Sequence, residues 1–338
     1  MRRGQGSRRL GRLGMVLALA LGASGCFVVL GSPLGSLGGG PRPLEEVTVD
    51  GEGRARILLM SISGTITDSP AKHAFGLIEE ESTVARVEAE LKQAADDDRV
   101  KAIVLRIDSP GGGVTASDEL YGRLVRFKRE HRVPILAALG DTAASGGYYV
   151  ACAADRIVAS PTTVTGSIGV ILMSLDLQGL LDKVGVKNQT FKAGEHKDLL
   201  SPLRAATPEE RKIVQHVLDS LHARFIAVVR EGRPHLDVAR LPELTDGRIF
   251  DARDAQAAGL VDDIGSLHEA LESAKRMAGV EQARIIRYRR SGESAETVYA
   301  RATAPATTQV NLLPIDLGGL ALPRSAFLYY WAPGLAAE

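Results

Sequence analysis

At 338 residues, 45% of them apolar and 24% charged, the chain has ample length to bury the core of one large α/β domain or two small ones. Its formal charge of zero is unevenly spread: five arginines (Arg2, Arg3, Arg8, Arg9 and Arg12) precede residue 13, and no acid appears before Glu45. With those five set aside, 36 of the 41 basic residues face 41 acidic ones, a net of −5, so the body has no electrostatic reason to seek nucleic acid.

The leader comes first. Residues 1–13 are arginine-rich, residues 15–23 form a short apolar stretch and Ser24-Gly25-Cys26 follows, the three-part form of a secretory signal. Ala23-Ser-Gly-Cys26 has the pattern of a lipobox, in which cleavage precedes a lipid-modified cysteine, with Ala23 where leucine is more usual. Apolar character continues through Phe27-Val-Val-Leu30, so the rival reading is an uncleaved anchor over residues 15–31. Both readings tether the body to a membrane and place it outside the cytoplasm. Residues 1–26 are thus read as signal or anchor, and 27–52, rich in Gly and Pro at its start, as a linker.

In the body, residues 56–66 are predicted as a strand, 80–95 as an amphipathic helix, 101–108 as a buried strand and 116–132 as a second helix. A strand over 134–139, a helix opening at Ser145 and a strand over 156–159 follow. Thr207 before Pro208 and Glu209-Glu210 announces a long helix to 230. Helices over 251–258 and 266–278 and a strand over 284–289 complete a body bounded at 53–290. This alternation implies α/β architecture, with parallel βαβ units and helices flanking the sheet. The tail, 291–338, is unassigned; Phe327-Leu-Tyr-Tyr-Trp331 lies near its end.

The two cysteines, Cys26 and Cys152, do not suggest a structural disulfide, because Cys26 belongs to the leader. Cys152, in Tyr149-Val-Ala-Cys-Ala-Ala154, is expected to be a buried packing residue. No Cys/His cluster has metal-ligand spacing.

Ligands of open α/β sheets bind beyond the carboxyl ends of the strands. Ser109-Pro-Gly-Gly112 and Asp141-Thr-Ala-Ala-Ser-Gly-Gly147 both fall at such ends. Ser145 reads either as a helix cap or as a nucleophile with the Gly146 amide beside it. Gly111 permits a positive φ, and Gly112 offers a second amide or simply closes a tight turn. Of the seven histidines only His196 is near the candidate site in sequence, and it neighbours Lys197 in Gly194-Glu-His-Lys-Asp198. Lys197 reads as a solvated loop residue or as a general base. The second role requires burial, because an exposed lysine of pKa about 10.4 cannot accept a proton at neutral pH.

Taken together, these segments resemble the signal peptide peptidase A family, membrane-bound Ser/Lys proteases related in fold to Clp protease and the crotonases. The resemblance covers residues 57–278 through Ser109-Pro-Gly-Gly112, Ala144-Ser-Gly-Gly147, Thr165-Gly-Ser-Ile-Gly-Val170, Lys192-Ala-Gly-Glu-His-Lys-Asp198 with Ser201-Pro202, and Gly247-Arg248 through Ala258-Gly-Leu-Val-Asp262. It implies Ser145 as nucleophile, Lys197 as general base, Gly112 and Gly146 as oxyanion-hole donors and Ser167 as the residue orienting the lysine. It also implies hydrolysis of signal peptides or other membrane-associated peptides through an acyl-enzyme, and a ring-shaped homo-oligomer, an octamer, with sites at subunit borders. No cofactor and no metal is expected. The chain has the short, single-repeat form, and Asp251 stands where Thr or Gly is commoner. The alternatives are an esterase or thioesterase using the same dyad, a crotonase-like acyl-CoA enzyme, and an inactive scaffold.

Overall fold

The computed structural model describes residues 43–73, 78–290, 297–299 and 327–330; the leader, residues 1–26, lies outside them. Strand β1 (Leu44–Asp50) opens the sheet within the stretch expected as linker. Its short alternating pattern suffices for an edge position, where one side of the strand stays wet. β2 (Ala55–Ile66) follows, then a small antiparallel pair, β3 (Ala71–His73) and β4 (Ile78–Glu80). α1 (Thr83–Ala95) is capped by Ser82, whose hydroxyl accepts the Ala85 amide at 3.2 Å.

The site is carried by the next three units. β5 (Val100–Gly113) leads directly into α2 (Val114–His131), and β6 (Ile135–Ala144) into α3 (Gly146–Ala151). β7 (Arg156–Ala159), β8 (Val164–Gly166) and β9 (Ile171–Leu172) follow, with α4 (Gln178–Lys183) beyond. The long α5 (Pro208–Gly232) starts with a reciprocal Thr207/Glu210 capping box and Pro208 at its first turn. Then come α6 (Leu241–Leu244), β10 (Ile249–Asp251), α7 (Ala252–Ala257), β11 (Asp263–Ile264), α8 (Leu267–Met277), β12 (Ala283–Arg290) and β13 (Phe327–Tyr330).

The main path of the sheet runs β1-β12-β2-β5-β6-β7-β11. All neighbours from β12 to β11 are parallel, and so is β6 with β8. The pairs β1–β12, β8–β10, β13–β5 and β13–β9 are antiparallel. The architecture is therefore alternating α/β with helices flanking a mixed sheet, and the all-parallel expectation fails at the periphery. Each antiparallel pair includes a strand outside the predicted βαβ units, β1, β10 or β13.

Both faces of the sheet are covered. Along β2, Leu58, Met60 and Ile62 pack with residues of α1, α2, α3 and α5, whereas Ile57 and Leu59 pack with Ala270, Leu271 and Ala274 of α8. A strand buried on both faces needs the nearly unbroken apolar run Ile57-Leu-Leu-Met60.

Two strands run further than the sequence suggested. β5 does not turn at Ser109; after a register shift, Gly111 and Gly112 pair with Thr65 and Ile66 of β2. β6 passes Gly140-Asp141 and changes neighbour, from β7 at Leu136–Leu139 to β8 at Thr142–Ala144.

Candidate active site

Ser145 stands at the junction of β6 and α3 with φ 52° and ψ −117°. An L residue held in such a backbone costs about 1–3 kcal/mol, and surrounding structure must enforce it. Here the Ser145 amide donates to the Gly166 carbonyl and its own carbonyl accepts the Tyr149 amide, both at 2.8 Å. Its hydroxyl makes no helix-capping bond, so the capping reading drops out. Ser145 is 1% exposed.

The two expected amides lie side by side. A methyl group placed on Gly146 would stand 3.1 Å from the Gly112 amide nitrogen and 2.5 Å from Ser117 Oγ. One on Gly147 would stand 2.7 Å from the Ser109 carbonyl oxygen, so the paired glycines are what lets α3 lie against the end of β5. Gly111, at φ 108°, provides the positive φ expected there.

Two buried hydroxyls that sequence reasoning did not single out stiffen this corner. Ser109 Oγ donates to the Gly64 carbonyl at 2.6 Å and accepts the Gly111 amide at 3.1 Å. Ser117 donates to the Gly113 carbonyl at 2.9 Å. Only their place in and beside the Ser-Pro-Gly-Gly segment hinted at them.

Ser167 follows the residue that accepts the Ser145 amide. It is buried, has φ 50°, and its amide donates to the Arg248 carbonyl at 2.7 Å. Parallel pairing of Ala144 with Gly166 aligns the two serine-bearing segments.

Lys197 is different. It is exposed, on a turn in which its amide donates to the Gly194 carbonyl at 3.2 Å. Its amine makes no hydrogen bond or ion pair among the described residues, with Ser145 or any other group. The burial expected of a neutral amine is therefore missing in the single chain. The turn itself is well held: Asp198 pairs with Lys192 at 2.6 Å and with Arg204 at 2.7 Å. Arg204 also reaches Glu210. Hydrogen bonds from Arg204 and then Lys192 hold the Asp198 carboxyl well below its usual range, and Arg204 with the Thr207 amide brings Glu210 down to about 2.

His196 lies 4.0 Å from Glu209. Glu195, His196 and Glu209 together offer ligand atoms within 4.8 Å of one another, a grouping that sequence spacing concealed. It is a largely solvated charge cluster, and nothing else at that spot points to an ion.

With this geometry in view, comparison with known proteins is informative. The model of peptidase family S49 matches residues 127–281. A protein of Enterococcus faecium that carries the name signal peptide peptidase A is 38% identical over 245 residues, which cover 72% of this chain and 70% of that one. A protein of Synechocystis named as a protease is 38% identical over 193 residues, covering 57% of this chain and 69% of the other. A chloroplastic serine protease of Arabidopsis thaliana is 32% identical over 231 residues, covering 68% of this chain and 33% of that longer protein.

An α/β sheet with a serine on a strained strand–helix junction, together with these relatives, defines a serine peptidase, a hydrolase of peptide bonds. Within that class the chain belongs to peptidase family S49, the signal peptide peptidase A type.

Proposed function

We propose that the chain is a membrane-tethered endopeptidase that cleaves signal peptides or other membrane-associated peptides with a Ser145/Lys197 dyad. The observation that carries this reading is the meeting of three elements at one point: Ser145 on its strained junction, and the amides of Gly146 and Gly112 beside it.

In the reaction, Ser145 Oγ attacks the scissile carbonyl carbon as its proton passes to the neutral Lys197 amine. The carbonyl oxygen, now an anion, is held by the Gly112 and Gly146 amides. Collapse breaks the C–N bond, Lys197 returns the proton to the leaving amine, and an acyl-enzyme remains. A water molecule, deprotonated by Lys197, releases the acid and restores Ser145. Ser167 is assigned the orientation of the lysine.

Lys197 must be desolvated to work as a base. Its exposure in one chain suits a site completed at a border between copies. Val184, Val186 and Phe191, which precede it on the same segment, are exposed large apolar residues that such a border would cover. A homo-oligomer, ring-shaped and octameric as in the family it resembles, is part of the proposal, as is a sheet of the Clp protease/crotonase kind. So is the division into a leader or anchor over 1–26, a linker over 27–52 whose last part carries β1, a peptidase body over 53–290 and a tail over 291–338. No helix among the described residues is long and apolar enough to cross a membrane, so the tether is assigned to the leader, with the body outside the cytoplasm.

Labelling with a fluorophosphonate and mapping by mass spectrometry tests the core of this reading. The label is expected on Ser145 alone. Ser145→Ala should abolish both labelling and casein cleavage, and Lys197→Ala should abolish cleavage with assembly intact. Full activity of Lys197→Ala would remove the base.

A further inference from the structure

The Gly112 amide reaches the candidate site through an irregularity in β5, and one side chain closes that irregularity. Ser63 stands opposite Asp108 and Thr65 opposite Gly111, so between these pairs Gly64 of β2 faces both Ser109 and Pro110. This is a bulge of one residue, and Gly64 meets it with φ 68°. The ladder against β6 shifts at the same point, between Ile107 and Ser109.

A bulge leaves ladder groups without backbone partners, and Pro110 adds to the deficit because it has no N–H to give. Ser109 meets both needs on the β2 side with one oxygen. Its Oγ donates to the Gly64 carbonyl at 2.6 Å and accepts the Gly111 amide at 3.1 Å. On the β6 side, Asp108 Oδ1 accepts the Thr142 amide at 3.3 Å. Ser109 is fully buried, so a backbone group it released would be costly to leave unpaired.

What this hydroxyl fixes is the stretch that bears the oxyanion amide. Gly111, held by Ser109, runs directly into Gly112. A methyl group on Gly112 would stand 2.1 Å from the Ile66 carbonyl oxygen, and one on Gly111 would stand 2.7 Å from the Gly146 amide nitrogen. The stretch is thus confined between β2 and α3. The carbonyl of Ser109 is also the atom that α3 lies against at Gly147. One residue therefore holds the Gly111-Gly112 stretch with its side chain and meets the helix that follows Ser145 with its backbone.

We propose that Ser109 is a positioning residue, whose hydroxyl locks the β5 bulge so that the Gly112 amide is aimed at the oxyanion beside Ser145. Its effect falls on the transition state and not on substrate binding. This deepens the proposed function, and it rests on Ser145 as nucleophile and Gly112 as donor. Removing an oxyanion donor costs about 100- to 1000-fold in rate, and mis-aiming one costs less.

The test compares Ser109→Ala, Ser109→Cys and Thr245→Ala with the parent. Each is measured for kcat and KM on fluorescein-labelled casein, for the rate of fluorophosphonate labelling and for thermal melting. Thr245 is the control: it too is buried, and its hydroxyl donates to the Leu241 carbonyl at 2.7 Å, at the end of α6. Ser109→Ala should lose about 10- to 100-fold in kcat, with KM within about twofold of the parent. Labelling should slow in step, because the phosphonyl oxygen takes the same amides. Ser109→Cys, whose thiol is a weak donor, should fall between Ser109→Ala and the parent. Thr245→Ala should melt earlier and keep the parental kcat. Parental kcat in a folded Ser109→Ala would overturn the proposal. A raised KM at unchanged kcat would do so too, since it marks a substrate contact, as would an equal loss of kcat in Thr245→Ala, which marks general loosening. If Ser109→Ala has no melting transition, Ser109→Cys decides: lowered kcat at unchanged KM upholds the role, and parental kcat ends it. Absence of label from Ser145 of the parent would instead sink the nucleophile, and the positioning role with it.

Discussion

Ser145, Ser167 and Gly111 all sit at positive φ around one point. Glycine takes such a backbone freely, whereas serine does so only under constraint. Cys152, seven residues beyond Ser145, makes the opposite case of a potentially reactive group kept inert. It is 2% exposed, and burial pushes its thiol up to about 12, although nearby Arg233 pulls the other way. Iodoacetamide at pH 8 should leave Cys152 unmodified in the native protein and alkylate it once unfolded; prompt native labelling, read by mass spectrometry, would contradict that. The apolar run around Cys152 made its burial legible in the sequence. Lys197 is the contrasting residue: its motif was legible, but the desolvation its role requires depends on surfaces that one chain does not bring together. Tyr329 was not legible because its segment, Phe327-Leu-Tyr-Tyr-Trp331, was left unassigned and lies far in sequence from the strands it joins.

Among the elements, α5 was the most legible, because Thr207, Pro208 and Glu210 supply a start signal with a physical mechanism. The Thr207 hydroxyl accepts the Glu210 amide at 3.1 Å, and Glu210 in return accepts the Thr207 amide at 2.8 Å. Thr207→Ala should cost about 1 kcal/mol of stability, measurable as a lower urea midpoint at unchanged slope. β1 was missed because alternating residues in a strand half exposed to water look like an ordinary polar linker. The extension of β5 through Pro110 was missed for another reason: Pro and Gly mark turns in sequence, yet here a bulged strand accommodates them because β2 and β13 flank it. That irregularity brings the Gly112 amide to α3.

At the scale of the whole molecule, α5 and the β11 side of the sheet are tied by Arg233 and Asp262. The guanidinium contacts both carboxylate oxygens, at 2.6 and 2.8 Å, and the same carboxylate accepts the Ile157 amide at 2.7 Å. Burial works against the charged form of Asp262, but the Arg233 and Ile157 hydrogen bonds outweigh it and hold the carboxyl below its usual value. The unfolded chain then takes up this proton at higher pH than the folded one, so the contribution is complete above about pH 4 and lost as pH falls through the lower folded value. Asp262→Asn should melt earlier than the parent at pH 7 by an amount worth about 1–2 kcal/mol for a partly exposed pair, and the gap should narrow toward pH 3 in calorimetric scans. The α/β alternation was legible because 3.6-residue and continuous apolar patterns differ along the chain. The mixed sheet was not, because pairings such as β1 with β12 join segments that only the finished fold brings together. One last feature follows from where β13 stops. The chain has a single tryptophan, Trp331, the residue after Tyr330 in sequence, so its indole emission comes from one position. Read during urea unfolding beside circular dichroism, that one signal should tell whether the end of the chain lets go together with the helices or before them.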